Sequence, residues 1–179
     1  MIKVAMLSGW HVHAKGYARE LLATGRVLIK GVWDEVKERG IAWAKELDTE
    51  FYEDLDELLN TDIDGVVVNA PTNMHKEIII KAARAKKHVF TEKVLTAKTV
   101  DALEIQKEIE NSGIKFVISL PHRTFPKNIY VKEIIDSGVL GEISLFRVRN
   151  AHSGASDNWL PPHFYSKEQC GGGAMIDLG

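Results

Sequence analysis

Short β-branched runs and amphipathic stretches alternate through about the first 120 residues, and this rhythm restricts the fold more than any other feature. Residues 2–7, 27–33, 51–52, 65–70, 88–90 and 114–120 read as strands. Residues 14–23 and 35–47, a short acidic-capped segment from Asp54, and two later stretches read as helices. Their expected inner stripes are Tyr17, Ala18, Leu21 and Leu22; Ile41, Ala44 and Leu47; Ile78, Ile79, Ala82 and Ala83; and Val100, Leu103 and Ile109. Residues 65–70 show almost no polar alternation, as a parallel strand covered on both faces requires. Strands joined through helices by right-handed crossovers give an α/β fold, a doubly wound parallel sheet of the Rossmann type. Such a sheet receives ligands beyond the carboxyl ends of its strands.

After Pro121 the rhythm changes. A helix is expected from Pro126 (Ile129, Val131, Ile134, Ile135), then an alternating strand at 143–149 and a polar, aromatic loop at 150–169. One helix and one strand do not bury a core of their own. The expected division is therefore a nucleotide-binding domain over 1–121 and, over 122–179, the incomplete beginning of an α+β C-terminal domain for substrate and oligomerisation. Lys and Arg number 23 against 25 Asp and Glu, so no basic field draws in nucleic acid or anionic lipid. No apolar run approaches a bilayer span, and no signal-peptide pattern opens the chain. The single Cys170 excludes an internal disulfide and agrees with the cytoplasm.

The turn after the first strand reads Ser8-Gly9-Trp10-His11-Val12-His13. A dinucleotide fingerprint would place glycines at Ser8, Trp10 and His13, and none is there. A pyrophosphate needs a helix N-terminus and close backbone N–H groups, an approach that small Ser8 and Gly9 can still permit; a plain tight turn is the competing reading. Asp34 ends the second strand, where a carboxylate receives an adenosine ribose and favours NAD by repelling a 2′-phosphate. It could equally cap the following helix. Lys37 and Arg39 leave room for NADP. His11, His13 and His75 raise a metal reading, but no Cys or carboxylate accompanies them in sequence, and no metal is assigned. His75 is expected to fix its neighbouring loop. Lys93 ends the fifth strand, placed to donate to a substrate oxygen with Glu92 holding its ammonium; a surface ion pair is the alternative.

The degenerate turn, Asp34, Asn69 to His75, Lys87 to Lys93, Arg123-Thr124-Phe125-Pro126, Ser137 to Ile143 and Gly171 to Gly179 occur in one order. In this the whole chain resembles the Gfo/Idh/MocA oxidoreductases. The family's Glu-Lys-Pro motif matches Glu92 and Lys93, with Val94 in place of proline, and its Pro-x-x-x-His segment matches Pro71 and His75. Its glycine-rich C-terminal motif matches Gly171 to Gly179, including Asp177.

The resemblance implies NAD(P)-dependent hydride transfer at a secondary alcohol or carbonyl of a sugar, polyol or derivative. Lys93 would polarise the substrate oxygen and Asp177 would position the substrate or a partner. Ser8, Gly9, Trp10, His11, Val12, Asp34, Asn69, Ala70, Pro71, Asn73, His75, Glu92 and Lys93 would line the cofactor, with His122 and Arg123 flanking nicotinamide or substrate. Trp159, His163 and Tyr165 are placed either to contact a sugar face or to pack. A full-length protein would form a homo-oligomer. The family's proton-accepting histidine would fall two residues past Gly179, so a protein of this sequence alone is expected to turn over slowly. Two rival readings keep the fold: a dinucleotide-binding regulator that senses cofactor without chemistry, and a reductase of imines or enals.

Overall fold

The computed structural model describes residues 1–173, 175 and 176. Six strands, β1 (Ile2–Leu7), β2 (Val27–Trp33), β3 (Glu50–Tyr52), β4 (Gly65–Val68), β5 (His88–Thr91) and β6 (Phe116–Ile118), form one sheet in the order β3-β2-β1-β4-β5-β6. Every pairing is parallel. The crossovers carry α1 (Ala14–Ala23), α2 (Lys37–Glu46), α3 (Leu55–Leu59), α4 (His75–Arg84) and α5 (Thr99–Ser112). The chain winds outward from β1 to β3, then returns and winds the other way from β4 to β6. β1 and β4 therefore lie side by side, Leu7 opposite Val68, at the point where the winding reverses.

Alternation along β1 sorts the layers. Ala5 and Leu7 join Val66, Val68 and the apolar sides of α3, α4 and α5, while Val4 and Met6 join Val67, Ile29, Val32 and the inner residues of α1 and α2. Each fully buried Leu, Ile or Val contributes roughly 1.5–3 kcal/mol, so the central strands hold the molecule together. Asp54 caps α3 by accepting from the Glu57 N–H at 2.9 Å. Gly113 closes α5 at φ 69°, a left-handed cap that suits glycine.

Three helix faces differ from expectation. On α2 the buried residues are Gly40, Trp43 and Ala44, with Ile41 exposed. On α5 Ile105 is buried while Val100 and Leu103 are exposed, and on α1 Leu22 is exposed. In α2 the inward stripe is 40, 43, 44 and 47, and it begins at a glycine that hydropathy does not mark.

Beyond β6, α6 (Pro126–Asp136) starts at a proline, but Ile129 and Val131 stay exposed. Residues 143–149, expected as a strand, form none, and Leu145, Phe146 and Val148 are exposed. Among the described residues no strand lies alongside, and lone extended peptide groups have no ladder to join. The expected loop contains a 3₁₀ turn (Pro162–Tyr165) and α7 (Lys167–Cys170), whose first turn is capped by Ser166 Oγ accepting from Gln169 N–H. Among the described residues no helix is long and apolar enough to cross a membrane.

Candidate functional site

The loops after β1, β2, β4, β5 and β6 converge at one edge of the sheet. Ser8 begins the first of them at φ 70°, the left-handed conformation for which the fingerprint uses glycine. Its Oγ accepts from the Trp10 N–H at 3.0 Å, a local bond that helps a small polar residue hold this conformation. The other amides of the turn are also engaged: Gly9 donates to Asp34 Oδ2 (2.8 Å), His11 to the Asn69 carbonyl (3.1 Å) and His13 to His11 Nδ1 (3.2 Å). The Ala14 amide that opens α1 is engaged as well, by the His11 carbonyl at 3.0 Å, so a pyrophosphate at this turn would need amides beyond it in the first turn of α1.

Asp34 is an internal clamp. Besides Gly9 it accepts from the Val36 N–H at 2.8 Å and takes Arg39 in a two-pronged ion pair, Nη2 at 2.7 Å and Nε at 2.9 Å. Its side chain has no exposed surface. Asn69, Ala70 and Pro71 are buried beneath the post-β4 loop, whereas Asn73 and Val12 face out. His75 acts as the expected loop tether: Nε2 contacts the Ala70 carbonyl at 2.9 Å and Nδ1 the Val94 carbonyl at 3.0 Å. Burial pushes its pKa down, while the carbonyls facing the ring push the other way. The ring is buried, tying the loop after β4 to the one after β5.

Glu92 is neither a surface group nor the holder of the Lys93 ammonium. It is 1% exposed and joins His13 Nδ1 (2.6 Å), the Tyr17 hydroxyl and the Lys93 backbone N–H (2.7 Å). Tyr17 also pairs with Ser119 Oγ at 2.8 Å, linking α1, β5 and the end of β6. Burial alone would raise the Glu92 carboxyl. The His13 hydrogen bond, the His11 charge, Tyr17 and the Lys93 amide together outweigh that and bring its pKa to about 2. The donor atoms of His11, His13 and Glu92 lie within 4.8 Å of one another, a spacing this hydrogen-bond network accounts for.

Lys93, partly buried and joined to Val94 by a cis peptide bond, borders two clefts together with His11. The larger, about 810 Å³, runs from His13, Ser119, His122 and Arg123 to Phe146 and Trp159. The smaller, about 290 Å³, lies between Trp10, Thr72 and Val94 on one side and Phe164 and Tyr165 on the other. Trp159 packs beside His152 with the rings tilted (centroids 5.0 Å apart), and Tyr165 edges the small cleft. His163 and Phe164 pack on the Trp10 ring, with centroids at 4.7 and 4.8 Å, so His163 faces the turn. Asp177 lies outside the described residues. Sequence reasoning gave Tyr17 only a core role, and missed Ser119 and Phe164. A tyrosine on an apolar stripe one turn into the first helix was the available signal for Tyr17.

Among the described residues Trp10 Nε1 in the turn after β1 and Asn69 Oδ1 just after β4 are buried polar atoms without a partner, and both belong to loops at the β1–β4 switch point. Such groups, with the helix N-terminus, suit a dinucleotide's mixture of hydroxyls and phosphates.

Comparison with known proteins agrees. The family profile described as an oxidoreductase family with an NAD-binding Rossmann fold (GFO/IDH/MocA) matches residues 4–119, and that of the GFO/IDH/MocA C-terminal domain matches residues 129–179. The 2,7-anhydro-N-acetylneuraminate hydratase of Escherichia coli (strain K12) is 34% identical over 139 residues, 75% of this chain and 36% of that protein. The myo-inositol 2-dehydrogenase of Thermotoga maritima is 30% identical over 129 residues, 71% of this chain and 36% of that protein. This chain therefore spans about a third of the length of those relatives. An NAD-binding protein from Listeria innocua superposes with a TM-score of 0.78 at 23% identity, over 99% of this chain and 51% of that one, a likeness of fold.

Proposed function

The chain belongs to the GFO/IDH/MocA oxidoreductases, an NAD-binding family, and from that premise we propose that it serves hydride transfer at a secondary alcohol or carbonyl of a sugar, polyol or derivative. The observation that carries this reading is the position of Lys93. It follows β5 by two residues and borders both clefts formed by the converging loops. A bound nicotinamide would accept or supply the hydride. The chain's own residues do the rest. The ammonium of Lys93 donates to the substrate oxygen and stabilises the charge that develops there as the carbon changes oxidation state. Glu92, fixed by His13 and Tyr17, holds the Lys93 backbone and so sets where that side chain starts. The turn after β1 and the N-terminus of α1 receive the pyrophosphate, and His122 and Arg123 border the larger cleft as flanking groups for nicotinamide or substrate. The myo-inositol dehydrogenase relative supports a polyol as substrate.

Titration calorimetry with NAD and NADP tests the cradle. Saturable binding of a dinucleotide is expected, and no heat from either at millimolar concentration would overturn the reading. Lys93→Ala should keep that binding while lowering kcat/KM on polyols by about 10²–10³-fold. The hydratase relative supports a second reading for the same cleft, net addition of water to a sugar derivative. The two separate on whether reduced cofactor accumulates as substrate is consumed.

A further inference from the structure

We propose that the larger cleft takes an anionic sugar or polyol, one bearing a carboxylate or a phosphate, and that Arg123 holds the charged group. This rests on the hydride-transfer reading above and names the substrate class of the same site. The charge of the lining carries it. The chain as a whole is slightly acidic, with 25 Asp and Glu against 23 Lys and Arg. Among the described residues that line this cleft there is no Asp and no Glu, while Lys93, Arg123 and Lys132 are all present. Four of the chain's seven histidines, His11, His13, His122 and His152, line it as well. Cations gathered in a concave site without a matching anion focus their field on whatever enters. Asp177, which the resemblance puts at the substrate, would offset one of the three and leave the sign unchanged.

The three cations are not equivalent. Lys132 is paired with Asp136, one turn further along α6. Lys93 is the residue assigned above to the reacting oxygen. Arg123 is exposed, and among the described residues its guanidinium makes no ion pair or hydrogen bond. Its backbone, by contrast, is fixed. Arg123 ends a 3₁₀ turn (Pro121–Arg123) in which its N–H donates to the Leu120 carbonyl at 3.0 Å. The Asn128 side-chain amide donates to the His122 carbonyl at 2.6 Å and ties that turn to α6. A free guanidinium thus stands on a fixed turn at the edge of the cleft.

A guanidinium offers a planar pair of N–H donors that matches two oxygens of a carboxylate or a phosphate, and such charge-assisted bonds are stronger than those to a neutral hydroxyl. An anionic substrate is then held at two points, its charged group on Arg123 and its reacting oxygen on Lys93, which fixes the carbon that faces the nicotinamide. Val131, Ile135, Phe146 and Trp159 give the same cleft apolar surface for the carbon skeleton. A neutral polyol leaves Arg123 to water and gains nothing from the excess of positive charge.

The test uses the full chain loaded with NADH, so that no alcohol is oxidised during a calorimetric titration. Glucose, glucuronate and glucose 6-phosphate share one ring and differ in the charge at one end. At least one of the two anions should bind about tenfold tighter than glucose, and which of them is tighter tells a carboxylate site from a phosphate site. The advantage should shrink severalfold as ionic strength rises from about 0.05 M to about 0.5 M. Arg123→Gln should erase most of it and Arg123→Lys should restore part. Both variants should melt within a few degrees of wild type, because the side chain is exposed. If neither anion binds tighter than glucose to a chain that binds NADH, undetectable binding of all three sugars at millimolar concentration included, the substrate class is wrong and the hydride-transfer reading stands. An advantage that survives intact in Arg123→Gln overturns the role given to Arg123. A chain that does not bind NADH overturns both readings.

Discussion

Glu92 shows how neighbours can keep a buried carboxylate ionised. Burial pushes a carboxyl upward, yet its partners hold this one at about 2 against an ordinary 4.5. Burial first, then Glu92 itself, drives the Tyr17 hydroxyl above its usual range, so the tyrosine remains a donor. With the folded pKa below the unfolded one, the stabilisation is complete above about pH 4.5 and drains away as pH falls toward 2. The gap between the two values corresponds to roughly 3 kcal/mol. Glu92→Gln is therefore expected to lose about 2–3 kcal/mol at pH 7, with the difference from wild type closing as the pH is lowered. Thermal melts of both proteins between pH 7 and pH 2.5 (about the useful range for such a titration) check this. A deficit that does not change with pH would assign the loss to packing instead. The sequence marked Glu92, Lys93 and Asp34 because strand ends are local features. It could not show what they bind, because those partners are set by tertiary approach: His13 lies 79 positions from Glu92, and Tyr17 lies 102 from Ser119.

Element type and order were legible in the same local way, through strand length, period and turn residues. Helix faces were less so, and α2 shows the reason. Gly40 lies inside a helix, where alanine would ordinarily be better by about 0.5–1 kcal/mol. A Cβ at Gly40 would stand 2.4 Å from the Phe51 ring and 2.7 Å from Asp34 Cβ, both of which must then move. Overpacking of this kind costs about 1–3 kcal/mol, so the clash outweighs the propensity. Gly40→Ala should thus lower stability by about 1–2 kcal/mol and, by displacing the Asp34 clamp, also weaken dinucleotide binding. Melting and calorimetry on the same sample check the pair, and a stabilised variant with unchanged affinity would show that α2 has room to spare. The glycine reads as neutral in sequence, yet it lets α2 approach β3 and aim Asp34 at the turn. Residues 143–149 fail as a strand for a complementary reason. Alternation states which face a strand would present, but not that a neighbour exists to pair with it.

At the scale of the whole molecule, two apolar clusters clamp the sheet from either side, while residues 143–149 lie outside both. Opening free energies should follow that division. The amides of β1 and β4 are in ladders on both sides and buried above and below, so they should exchange with solvent only on global unfolding. Those of residues 143–149 have no ladder among the described residues and should exchange with little protection. A dinucleotide that binds only the folded state adds RT ln(1 + [L]/Kd), about 2.7 kcal/mol at a hundredfold excess over Kd. The added protection should be largest where local opening separates ligand-contacting loops from the sheet, namely residues 8–13 and the Pro162–Tyr165 turn that packs on Trp10. Hydrogen-exchange mass spectrometry with and without NAD measures this. Protection gained at both segments would place the aromatic turn over the bound cofactor. Gain at residues 8–13 with loss at 162–165 would instead mean that the turn is displaced from Trp10 as the dinucleotide enters. Protection of residues 143–149 equal to that of α4 in the free chain would contradict the division of the molecule on which the prediction stands.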